Sequence, residues 1–134
     1  MKRNLESEDS FAYWVTERIR FSDQDAQSHV NNGALVAYVE TGWTNFCQHL
    51  GVYPSQRVES FALQSIAVDF RHLVVWPGEL RIGARIVAVN DNTFTVGVGV
   101  FQDHRCVATA TSTLGWTRDG RLERIPEDVR KQLS

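Results

Sequence analysis

The sequence predicts an α+β fold in which one long helix lies across a curved antiparallel sheet. Two observations carry this. The hydrophobic pattern runs strand, long helix, then four strands in succession, and the breaks between those four are too short for parallel crossovers, which need a dozen or more residues. The helix has one apolar face, and the sheet is the only surface large enough to bury it.

The elements follow in order. Residues 1–12 read as a loose polar lead-in with no apolar run. Tyr13 to Phe21 reads as a strand with Val15, Ile19 and Phe21 on one face. Asp23 to Asn32 is rich in Asp, Gln, Ser, His and Asn, side chains that bond to nearby backbone and favour loops. Leu35, Val36, Val39, Trp43, Phe46 and Leu50 then recur at helical spacing. Asn31 or Asn32 is the natural N-cap and Gly51 the natural stop, giving about five turns. Val52 to Ser60 is a loop. Phe61–Phe70, Leu80–Val89, Thr93–Gln102 and Cys106–Arg118 read as strands. Pro77-Gly78, Asn90-Asp91-Asn92, Asp103-His104 and Asp119-Gly120 carry the turn chemistry between and after them. Ile125 to Leu133 reads as a short helical turn.

The 134 residues suit a single domain. Net charge is −2 with no block of like charges, which argues against a nucleic-acid binder that neutralises many phosphates. No signal peptide or membrane span is visible. Cys47 and Cys106 lack metal-ligand spacing and read as free thiols in a reducing compartment, so a cytoplasmic location is expected. His29, His49, His72 and His104 show no ligand pattern, and no metal is expected. Nucleophile-elbow, phosphate-loop and zinc-protease motifs are absent from the sequence.

Chemistry concentrates between the first strand and the helix. Asp23, Asp25, His29, Asn31 and Asn32 fall within ten residues, just before a helix N-terminus. That end offers unpaired N–H groups and a partial positive charge, which suit an oxyanion. A nearby carboxylate can attack a carbonyl or take a proton from water. On the residues alone, caps and loop formers are the favoured reading over catalysis.

The string Phe21-Ser-Asp-Gln-Asp-Ala-Gln-Ser-His-Val-Asn-Asn32 resembles the signature of the 4-hydroxybenzoyl-CoA thioesterase family of hotdog-fold proteins. That signature runs aromatic, x, Asp, x, Asp, x, x, Gly, His, Val, Asn, Asn, followed by a helical aromatic-x-Glu element, which Tyr38-Val39-Glu40 fits. Ile66 to Arg71, Pro77 to Leu80 and Arg124 to Glu127 resemble later family segments. The resemblance implies a hotdog fold, five antiparallel strands wrapped around a long central helix. It also implies a homodimer in which two sheets join, assembled further into a homotetramer, with a site shared between subunits. The implied activity is hydrolysis of an acyl-CoA thioester, with no cofactor beyond the coenzyme A of the substrate. Asp25 falls on the catalytic carboxylate, as nucleophile or general base, with oxyanion donors near Asn31 and Asn32. Ser28 stands where the family has Gly, a position that favours positive φ or close approach by substrate.

The candidate catalytic residues are therefore Asp25, His29 and Asn32. Asn31, Ser28, Glu40, Ser65, Arg71, Arg81 and Arg85 are candidates for binding substrate. Each has a plainer reading. Asp23 suits a turn or cap better than a second acid. His29 orients Asp25, touches substrate or bonds to backbone, and Asn32 shapes the loop. Glu40 faces either the site across a dimer or a polar interface. Gln64 and Ser65 line a pocket or form a bulge. Arg71, His72, Arg81, Arg85 and Arg105 suit the phosphates of coenzyme A or simply solvent. Two rival functions use the same fold, a hydratase or dehydratase pairing Asp25 with His29, and a non-catalytic acyl-CoA-binding protein.

Overall fold

The structure, a computed structural model, describes residues 4–52 and 59–134, the side chains of 59 and 60 apart. The expected loop from Val52 to Ser60 thus lies mostly outside the described residues. The first strand, β1, spans Tyr13–Arg18, and helix α1 spans Asn32–His49. Four strands follow: β2 (Glu59–Phe70), β3 (Glu79–Val89), β4 (Thr93–Gln102) and β5 (Arg105–Arg118). A two-residue strand, β6 (Arg121–Leu122), folds back on β5 across the Asp119-Gly120 turn, and helix α2 spans Glu127–Leu133.

The strands pair antiparallel in the order β1-β3-β4-β5-β2. β2 therefore skips to the far edge, because the chain passes through α1 before it. Helix α1 touches β1, β3, β4 and β5, so the sheet curls around it. Its apolar stripe buries Leu35, Val39, Trp43, Phe46 and Cys47 against Ile82, Val96, Val98 and Leu114. Gly42 lets the helix approach β3 closely, since a Cβ there would sit 2.5 Å from Ile82 Cγ2. Alternation puts Ala108, Ala110, Ser112 and Leu114 of β5 on the helix side and Thr109, Thr111 and Thr113 on the other.

Two expectations are corrected. Phe21 is not on a strand face. The chain leaves the sheet at Ile19, whose N–H reaches the Gly78 carbonyl, and turns through a short 3-10 segment at Phe21–Asp23. Asp23 closes that turn by accepting from the Arg20 N–H, which leaves Phe21 68% exposed with its ring against Trp76.

The segment before β1 is not loose either. From residue 4 it lies on the outer face of the sheet, where β3 and β4 carry Gly83, Gly97 and Gly99. Any Cβ at these glycines would collide with Leu5 or Phe11. Phe11 is buried and packs edge-on against Trp14 and Phe101. Glu8 ties the segment down through Arg81 and His104. Of the two readings open for Gln64, pocket lining or bulge, the structure has the bulge, because the β2–β5 register slips between Leu63 and Ser65.

Candidate active site

The loop before α1 is held by its own backbone. Gln24 and Val30 bridge across it, the Val30 N–H reaches the Val74 carbonyl, and the Asn31 N–H reaches the Asp23 carbonyl. Within this small hairpin the Asp25 N–H donates to the His29 carbonyl, and Ser28 N–H donates to the Asp25 carbonyl. Asp25 Oδ1 accepts from the N–H groups of Gln27 (2.9 Å) and His29 (3.2 Å). One carboxylate oxygen is thus fixed by the loop, while Oδ2 takes no hydrogen bond among the described residues and the side chain is exposed. Ser28 turns the hairpin at φ 62°, the left-handed conformation for which glycine is suited.

The helix start is capped by Asn31, whose Oδ1 accepts from the Ala34 N–H at 2.7 Å. The Leu35 N–H is bonded to the Asn31 carbonyl. That leaves the N–H groups of Asn32 and Gly33 as the first-turn donors with no acceptor among the described residues. The Asn31 N–H is spent on Asp23, so the open pair sits one residue further along than the sequence implied.

These donors border a recess of about 180 Å³ lined by Val30, Asn32, Leu35, Leu73 and Val74, with Phe70, Arg71 and His72 completing the wall. A larger hollow of about 640 Å³ lies at the other end of α1, between Phe46, Leu50 and the start of β1. Neither hollow has a carboxylate on its walls, but only the smaller one of the two is lined by the start of α1, at Asn32, and it is this helix N-terminus that singles it out.

Asp23 takes the structural part. It is buried and accepts from the Arg20 N–H and guanidinium and from the Tyr38 hydroxyl. Burial pushes its carboxyl up, but the Tyr38 hydroxyl and the Arg20 groups outweigh that and hold it below the usual range. Tyr38 is pushed up to about 12, by burial first and by its bond to Asp23 second. Burial likewise pushes the Cys47 thiol to about 12, which rules it out as a thiolate nucleophile near neutral pH.

The other candidates divide. Arg71 lines the recess, with Nη2 3.2 Å from Glu6 and Nε near Thr109. His29 holds Asp25 through its main chain, not its ring. Glu40 is exposed on α1, two turns from the recess. Ser65 stands opposite Thr113, on the sheet face turned away from α1. Arg81 stacks on Trp14, 4.0 Å from the ring centroid, and pairs with Glu8. Arg85 donates to the Ser10 carbonyl. Both arginines hold the N-terminal segment and line no part of the recess. The sequence reading missed the wall at Leu73 and Val74. These residues lie between two strands with no pattern of their own, and only the Val30–Val74 bond brings them to the helix.

A family model described as "Thioesterase-like superfamily" matches residues 19–133. The chain belongs to this thioesterase-like superfamily. Among solved structures, this superfamily member is similar to a thioesterase from Thermus thermophilus complexed with coenzyme A and Zn. The two are 24% identical, with TM-score 0.83 over 92% of this chain and 98% of that one. A gentisyl-coenzyme A thioesterase gives 18% identity and TM-score 0.83, covering 91% of this chain and all of the other. A hypothetical protein from Aquifex aeolicus gives 20% and 0.83, over 91% and 99%. The shared fold is the hotdog fold. No curated protein sequence matches the chain. Among the described residues no group of three or more His, Cys, Asp or Glu side chains is placed to hold a metal, and no helix is long and apolar enough to cross a membrane.

Proposed function

We propose that this thioesterase-like protein hydrolyses an acyl-CoA thioester, with Asp25 as the catalytic carboxylate. One observation carries the reading. A carboxylate held by one oxygen, with the other open, sits on the hairpin that leads directly into a helix whose first two N–H groups are open beside an apolar recess. The acyl group occupies the recess. The carbonyl oxygen turns toward the Asn32 and Gly33 N–H groups, which stabilise the negative charge as the carbonyl carbon becomes tetrahedral. Asp25 Oδ2 either takes a proton from the attacking water or attacks the carbon itself. In the first case the C–S bond then breaks and the departing sulfur of coenzyme A receives that proton; in the second, coenzyme A leaves as the thiolate while Asp25 becomes acylated, and water then hydrolyses the mixed anhydride to the free acid and restores the carboxylate.

His29 supports Asp25 through two main-chain bonds, and its ring is not bonded to the carboxylate. This favours hydrolysis over a hydration chemistry that needs an Asp–His pair.

Thiol release from a panel of aromatic, short-chain and medium-chain acyl-CoAs tests the proposal. Asp25→Asn keeps the shape, and its turnover should fall by about two orders of magnitude or more, the scale of losing an acid–base group. A folded Asp25→Asn variant with wild-type turnover sinks it. Ligand-induced stabilisation by acyl-CoA without any thiol release would instead mark a binding protein.

A further inference from the structure

Behind the recess lies a second hollow, a cleft of about 590 Å³ on the other side of the wall formed by Phe70, Arg71 and His72. Its charged and titratable lining is Glu6, Asp69, Arg71, His72, Arg105 and Cys106. Two features make it unlike an ordinary patch of surface charge. Arg105 forms no ion pair among the described residues, although it sits at the start of β5 on the rim. Arg71 is engaged, but by a carboxylate from far away in sequence. Glu6, half exposed on the N-terminal segment, reaches over the sheet to within 3.2 Å of it. The rest of that segment is anchored by the packing of Leu5 and Phe11. Glu6 is therefore presented to Arg71 by a fixed strap and not by chance.

A carboxylate held in this way occupies the place that an anionic ligand group would take on the guanidinium. Resting on the hydrolase reading above, we infer that this cleft seats the phosphate-bearing nucleotide end of the thioester, with Glu6 as a built-in competitor. Arg105 supplies the open charge that first attracts the phosphates, and His72 stands between the nucleotide and the acyl recess. As the ligand enters, its phosphate replaces the Glu6 carboxylate on Arg71. Asp69 lies on the same lining and limits how much negative charge the cleft accepts. Arg81 and Arg85 line no part of this cleft. The affinity of the enzyme for its substrate is thus set partly by its own N-terminal segment.

Adenosine 3′,5′-bisphosphate, which carries the phosphates of coenzyme A without the pantetheine arm, is the direct probe. Calorimetric titration should show Glu6→Gln binding it several-fold more tightly than wild type and Arg105→Glu about tenfold more weakly, the scale of one charge-assisted contact. In turnover, the ratio of kcat/KM for acyl-CoA to kcat/KM for the matching acyl-pantetheine should fall about tenfold in Arg105→Glu and rise in Glu6→Gln. Equal bisphosphate binding by all three proteins overturns the inference, as does an unchanged substrate ratio in a protein that hydrolyses both thioesters. Charge-dependent binding of the bisphosphate by a protein that hydrolyses neither thioester would uphold the cleft and overturn the hydrolase reading instead.

Discussion

Ser28 shows how one side chain can carry a cost that its neighbours impose. At φ 62° its Cβ crowds the backbone, a strain of about 1 kcal/mol for a residue other than glycine. Ser28→Gly relieves it, offset in part by the freer unfolded chain, so stability should rise by up to about 0.5 kcal/mol in urea denaturation. A fall would show that the hydroxyl contributes more than the strain costs. The buried pair Asp23 and Tyr38 sets a pH dependence with two signs. The carboxyl of Asp23 is lowered in the fold, with burial opposing and the Tyr38 and Arg20 bonds prevailing. Its contribution is therefore complete above the ordinary carboxylate range near pH 4 and is lost as pH falls through the lower folded value. Tyr38 is raised, so its contribution is complete below pH 10 and is lost as pH climbs toward about 12. Tyr38→Phe leaves the buried carboxylate short of a donor and should cost about 1–3 kcal/mol at pH 7. It should also flatten the drop in stability as pH falls below the ordinary carboxylate range near pH 4. An acid profile as steep as wild type would show that Arg20 alone holds Asp23.

Among the elements, helix α1 and strand β4 were legible because their signals are local. Asn31 caps α1, Gly51 follows its end at φ 75°, and β4 runs Thr93–Gln102 as its alternation indicated. The Asp25 hairpin was legible only as a motif, since nothing in the composition of Asp23–Asn32 separates a catalytic loop from a cap. What stayed hidden depends on contacts distant in sequence. Leu5 is a lone apolar residue in a polar stretch and Phe11 lies just ahead of the first strand, and it is the glycine-paved face of β3 and β4 that gives both a surface to pack on. The same packing engages Arg81 and Arg85 with the N-terminal segment. Gly42 is another such position, ordinary in a helix pattern yet set directly against Ile82. Gly42→Ala gains about 1 kcal/mol of helix propensity but forces a methyl into a fully buried isoleucine. Overpacking should prevail, with a net loss of about 1–2 kcal/mol in urea denaturation. A gain in stability would mean that Ile82 has room to turn away.

At the scale of the whole molecule, the sheet is unfinished. Strand β2 is 12 residues long and pairs with β5 on one side only. Its other edge carries a row of backbone N–H and C=O groups, which is a template for a further strand. The exposed side chains around one end of that edge include Phe70 and Leu73, both beside the recess. The N-terminal segment already covers the outer face of β3 and β4, so that part of the sheet is closed to a back-to-back partner. Of the two edge strands, β1 and β2, the second is the longer, and joining there would set a second copy against the wall of the recess. We expect the protein to be a dimer in light scattering, with β2 pairing to β2. Hydrogen exchange then distinguishes this dimer from any other. The β2 amides that point away from β5 have no acceptor among the described residues, and they should exchange slowly in the dimer and quickly on dilution to monomer. Turnover per chain should fall over the same dilution range if the partner closes the recess. A dimer whose outward β2 amides exchange as fast as those of an open loop would place the interface elsewhere and leave the recess complete within one chain.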